Sequence, residues 1–151
     1  MSVKPLHYRE CGLRNIYLKN GFKIRKTPYG ETVSIDNLLE LHQAIACDLI
    51  HYKPKLTGTE FRFLRKEIDM SQKRLAELMG TKEQTLSLWE RKGNVPQWAD
   101  RFVRKIYLEV HGGNETIIEL VDRLNNLDRK EASKKMTFQK NHSKWRSNKA
   151  A

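Results

Sequence analysis

The chain has 151 residues, 38% of them hydrophobic, and a formal net charge of +11. That length suits one compact domain or two small ones with a tail, and the basic balance favours a polyanionic partner. No apolar run approaches the ~20 residues of a membrane span, no apolar h-region follows MSVKPLHYRE, and Cys11 and Cys47 make no disulfide framework, so a soluble cytoplasmic protein is expected.

From the N-terminus, residues 8–35 carry strand signals. Asn20-Gly21 lies between two runs rich in β-branched and aromatic residues in NIYLKNGFKIRK, a strong hairpin signal. A second turn in TPYGE, Thr27 to Glu31, leads into TVSI. The expectation is a three-stranded antiparallel meander that needs a helix to cover its apolar face. That helix follows, with Asp36 as N-cap and an apolar stripe of Leu38, Leu41, Ile45 and Leu49. Pro54 and Gly58 then mark a linker.

Beyond it the periodicity is helical. Thr59, Ser71 and Thr81 are candidate caps, and Pro96 suits the start of a helix carrying Trp98, Phe102, Val103, Ile106 and Tyr107. Asn114 would cap a fifth helix, whose rows Ile117, Ile118, Leu120, Val121 and Leu124 suggest a dimer seam. From Arg129 to Ala151 eight Lys/Arg face one Glu, a charge of +7 that leaves only +4 for the rest. This segment is expected to be a flexible basic tail, either solubilising or, through Phe138 and Trp145 among the lysines, touching nucleic acid.

The most informative segment is SQKRLAELMGTKEQTLSLWERKG, Ser71 to Gly93. Leu75, Ala76, Met79, Leu86 and Trp89 are apolar with Gly80 between the groups, as two helices meeting at a steep angle require. Gly80 is expected at positive φ. The order Ser71-Gln72, Leu75-Ala76, Gly80, Trp89-Glu90, Gly93 and Pro96 resembles the helix-turn-helix of the Cro/phage-repressor (Xre) family, extending over Thr59 to about Val110. The step ERKGNVP is longer than the family's usual one.

The resemblance implies that helix 82–91 enters the major groove of DNA with its N-terminal residues on base edges. Lys82, Glu83, Gln84, Thr85, Ser87 and Leu88 then lie outward or on the flanks. Gln84 can pair with adenine, Glu83 can accept from cytosine, and Leu88 can meet a thymine methyl. Gln72 would contact phosphate and brace this helix, while Lys73, Arg91 and Lys92 neutralise phosphates. Leu75, Leu86 and Trp89 would be core in any helical protein, so only the polar set discriminates.

The predicted fold class is α+β: a β-meander plus helix over 1–55 as a sensor or partner-docking module, an all-α five-helix DNA-binding domain over 56–128, and the tail 129–151. This order is also similar to the zinc-finger/helix-turn-helix antitoxins of the MqsA type, whose N-terminal module binds zinc and a toxin. Of the family's cysteines only the Cys11-Gly12 step is matched here, and His7, His42, Cys47 and His51 lack the spacing of a four-ligand site, so neither metal nor another cofactor is expected. No paired carboxylates, nucleophile motif or phosphate-binding glycine loop suggests an enzyme. The function expected is a repressor that binds a palindromic operator as a homodimer, associated with the nucleoid; the alternative is an antitoxin that neutralises a toxin and autoregulates its operon.

Overall fold

A computed structural model of the chain describes residues 4–112, 116–127, 135–142 and 144–148. It is α+β and divides into two compact units, residues 1–45 with 134–151, and residues 46–133.

In the first unit, strands β1 (Leu6–His7), β2 (Ile16–Leu18), β5 (Met136–Asn141) and β6 (Lys144–Ser147) form one sheet in the order β1-β2-β5-β6. β1 and β2 are antiparallel, β2 and β5 run parallel in the register Leu18↔Phe138, and β6 returns antiparallel to β5. Strands β3 (Phe22–Thr27) and β4 (Gly30–Ile35) form a separate two-stranded ribbon. Ile16, Leu18, Met136, Phe138 and Trp145 are buried at the sheet. The start of helix α1 (Leu38–Tyr52) is fixed here: His42 Nε2 and the Tyr8 hydroxyl are 2.8 Å apart, and the Trp145 amide donates to Glu40 at 3.2 Å.

Two expectations need correction. Asn20-Gly21 does not close a hairpin between β2 and β3, and the three-stranded meander does not form. The Asn20 amide instead bonds both backbone groups of Lys140, accepting from its N–H at 2.6 Å and donating to its carbonyl at 3.2 Å. Gly21, at φ 78°, lies under the Trp145 ring, where a Cβ would stand 2.5 Å from the nearest ring carbon. Nor is the C-terminal segment simply a tail, because Met136–Asn141 and Lys144–Ser147 complete the sheet. The physical reason is a period-two pattern, with Met136 and Phe138 buried and Thr137 and Gln139 half-buried, which overrides the lysine-rich composition.

In the second unit, α2 (Gly58–Glu67), α3 (Gln72–Met79), α4 (Glu83–Lys92), α5 (Gln97–His111) and α6 (Ile117–Asn125) follow the end of α1. Ser71 caps α3 as expected. Thr57, not Thr59, caps α2, in a capping box with Glu60. Lys82, not Thr81, is the N-cap of α4 and makes no side-chain cap bond. The expected cap Asn114 lies outside the described residues. Of the rows expected to form a seam on α6, Leu120 and Leu124 are buried, and the side chains of Ile117, Ile118 and Val121 lie outside the described residues.

A buried ion pair ties α1 to α5. Arg104, fully buried, donates to Asp100 at 2.7 and 3.2 Å and to the Leu49 and Ile50 carbonyls in the last turn of α1, each at 3.0 Å; the Leu49 carbonyl also accepts the Lys53 amide at 3.3 Å. Desolvation lowers the pKa of this guanidinium, and Asp100 opposes that shift. Asp100 also accepts the Leu56 amide at 2.7 Å, which fixes the approach to α2.

Candidate nucleic-acid interface

The turn between α3 and α4 has the geometry its sequence predicts. Gly80 ends α3 in the left-handed region, φ 70° and ψ 29°, and the Thr81 amide bonds the Ala76 carbonyl at 2.9 Å. Leu75, Ala76 and Leu86 fill the angle between the helices. Trp89 packs edge-on to Phe61 and to Trp98, with ring centroids 6.2 and 5.7 Å away.

A polar network fixes the inner side of α4. Arg65 grips Glu90 with two bonds, Nε to Oε2 at 2.7 Å and Nη2 to Oε1 at 3.1 Å, and donates to the Met70 carbonyl at 2.9 Å. Gln72 donates to Glu90 Oε1 at 3.0 Å. Arg65 and Glu90 are only 8% and 6% exposed, so the pair is shielded from water and geometrically demanding. It joins α2, α3 and α4 at one point. Nearby, Gly58 touches the end of α4 so closely that a Cβ would stand 2.5 Å from the carbonyl oxygens of Trp89 and Glu90.

The outer side is the opposite in character. Glu83, Gln84 and Leu88 are exposed, Ser87 is half-buried, and together with Gln72 and Arg91 they line an open cleft of about 410 Å³. Lys82 and Lys92 are exposed at the two ends of α4, Lys73 is exposed on α3, and Thr85 is half-buried. The helix expected over 82–91 thus spans 83–92, with Lys82 as its cap. Six of the ten residues expected to bind DNA share the cleft. Lys73, Lys82, Thr85 and Lys92 do not line it.

Arg65 was not among those ten residues, and Glu90 entered only as a motif position. A signal was available: Arg65 falls on the apolar stripe Phe61, Leu64 and Ile68, where a charge is tolerated only with a partner. The histidines and cysteines outside the motif show no comparable convergence. Among the described residues no group of three or more His, Cys, Asp or Glu could hold a metal ion.

Residues 61–97, from α2 into the first turn of α5, match the family model described as helix-turn-helix. No curated protein and no solved structure matches the chain. The geometry and the match together define the class: an Xre-type helix-turn-helix. The protein that carries it is a DNA-binding transcription regulator. Among the described residues no helix is long and apolar enough to cross a membrane.

Proposed function

We propose that the protein represses transcription by binding a palindromic operator as a homodimer, with α4 in the major groove. The observation that carries this is the two-sided character of α4, locked on its inner side by Arg65, Gln72 and Glu90 and presenting Glu83, Gln84, Ser87 and Leu88 outward. A recognition element needs both properties, because base readout demands side chains held in a fixed frame. In this reading Gln84 pairs with adenine, Glu83 accepts from cytosine and Leu88 meets a thymine methyl. Lys73, Lys82, Thr85, Arg91 and Lys92 position the backbone, and Gln72 both braces Glu90 and reaches a phosphate. One such motif covers few base pairs, so two copies on a two-fold site supply the specificity.

The test begins with selecting preferred duplexes from a random pool. Glu83→Ala/Gln84→Ala should then bind selected and random duplexes alike while its circular dichroism is unchanged. Retained discrimination would remove α4 from the reading role. Footprints on the selected sites should show two half-sites about one helical turn apart. A single half-site would exclude the two-fold mode.

A further inference from the structure

We propose that the β3–β4 ribbon is a second contact to duplex DNA, gripping phosphates through the face formed by Lys23, Arg25, Thr32 and Ser34. The proposal rests on the DNA-binding reading above and adds to it a separate element.

The register sorts the ribbon into two unlike faces. Phe22↔Ile35, Ile24↔Val33 and Lys26↔Glu31 lie on one, and Lys23↔Ser34 and Arg25↔Thr32 on the other. The first face is apolar, with a cross-strand pair of opposite charge at its outer end. The second, which ends in Thr27↔Gly30 at the tip, holds Lys23, Arg25, Thr32 and Ser34 with no carboxylate; these four are exposed, and the Thr32 hydroxyl makes only a long bond, 3.5 Å, to the Arg25 carbonyl. Neither Lys23 nor Arg25 is paired with a carboxylate among the described residues.

Lysine, arginine, serine and threonine are among the side chains that bond phosphate oxygens. Here they form a compact two-by-two array with ~7 Å between neighbours along each strand. A ribbon of two six-residue strands is roughly 20 Å long, and the major groove admits a two-stranded β-ribbon.

The ribbon is also stiffened, although ten of its twelve residues are exposed and a lone two-stranded hairpin is marginal in water. At its base the Asp36 amide bonds the Gly21 carbonyl at 2.9 Å, and Trp145 covers Gly21 and donates to the Asp36 carbonyl at 2.9 Å. At its tip, Thr27 donates to the Gly30 carbonyl at 2.6 Å and accepts from the Tyr29 amide at 3.2 Å, around Pro28. Pro28 leads into Tyr29, which is 99% exposed. A rigid, basic, outward element loses little entropy when a polyanion orders its side chains.

The experiment measures affinity of the full chain for a mixed-sequence duplex of about three helical turns as salt is raised. Each phosphate contact contributes ~0.9 to the slope of log affinity against log salt. Lys23→Gln/Arg25→Gln should flatten the slope by about 1.8. Thr32→Val/Ser34→Val, which removes donors without changing charge, should weaken binding several-fold. Arg91→Gln serves as the comparator on α4.

If the full chain binds no duplex, both this proposal and the reading of α4 fall. Suppose instead that it binds, and that Arg91→Gln flattens the slope. A slope unchanged in Lys23→Gln/Arg25→Gln, or an affinity unchanged in Thr32→Val/Ser34→Val, then overturns the ribbon alone. An effect confined to Ile24→Thr/Val33→Thr overturns it too, and assigns the ribbon to a protein partner on its apolar face.

Discussion

The helix-turn-helix and the β3–β4 ribbon both present polar side chains outward, yet they are held in opposite ways. Helix α4 is over-determined: a glycine on either side, Trp89 packed between two aromatic rings, and the bidentate Arg65–Glu90 pair beneath it. The ribbon is pinned at its base and tip and touches little else, with most of its residues exposed on both faces. A side chain that discriminates between base edges must be placed to a fraction of an ångström. One that neutralises a phosphate can follow the backbone wherever it runs. The two regions therefore differ in how much of their surface can change without cost to the fold.

The largest break should come from Arg65→Ala. It leaves Glu90 buried without its partner, and removing one member of such a pair costs about 3–5 kcal/mol, read by chemical denaturation. Arg65→Met/Glu90→Met should recover most of that stability and still bind DNA poorly, which would separate the pair's orienting role from its stabilising one. Next is Gly58→Ala, whose Cβ meets two backbone oxygens at 2.5 Å. Overpacking of this kind costs about 1–3 kcal/mol, and the displaced α4 should bind selected duplexes more weakly.

A smaller effect appears only at high pH. Burial, with Glu67 and Cys47 adding to it, pushes the Tyr107 phenol up to about 12. The neutral phenol is therefore favoured in the folded state. This contribution is complete below the unfolded value near 10 and is lost as pH rises through about 12. Alkaline melting should show a loss on the order of 1 kcal/mol near pH 11, and Tyr107→Phe should lack it. The smallest effect belongs to the ribbon: Lys23→Gln/Arg25→Gln should leave the denaturation midpoint within about 0.5 kcal/mol of the parent. A larger change would mean that the exposed face supports the fold.

How much was legible in the sequence follows the same division. In Ser71–Gly93 the cap, the left-handed Gly80 and the buried Leu75, Ala76, Leu86 and Trp89 all follow from spacings within one or two helical turns. The outward positions of Glu83, Gln84 and Leu88 follow too, since they are what such periodicity leaves over. The β topology was not legible. β2 pairs with a strand about 120 residues away, and no local signal encodes a pairing at that separation. At Asn20-Gly21 the chain does bend, with Gly21 at positive φ, but the Asn20 amide and the missing Cβ serve Lys140 and Trp145 rather than a hairpin. Arg104 and Asp100 were hidden differently. Their i,i+4 spacing reads as an ordinary surface pair until the α1 carbonyls are brought against them.

The parallel pairing of β2 with β5 has a consequence for how the protein is made. The N-terminal strands leave the ribosome first but cannot complete their sheet until β5 and β6 follow. At cellular translation rates that is a delay of roughly ten seconds, ample for the helical unit to fold. Through that interval the apolar faces of Ile16 and Leu18 wait for Met136 and Phe138. A nascent chain stalled or cut short in its final segment would thus hold a folded helix-turn-helix and an unfinished sheet.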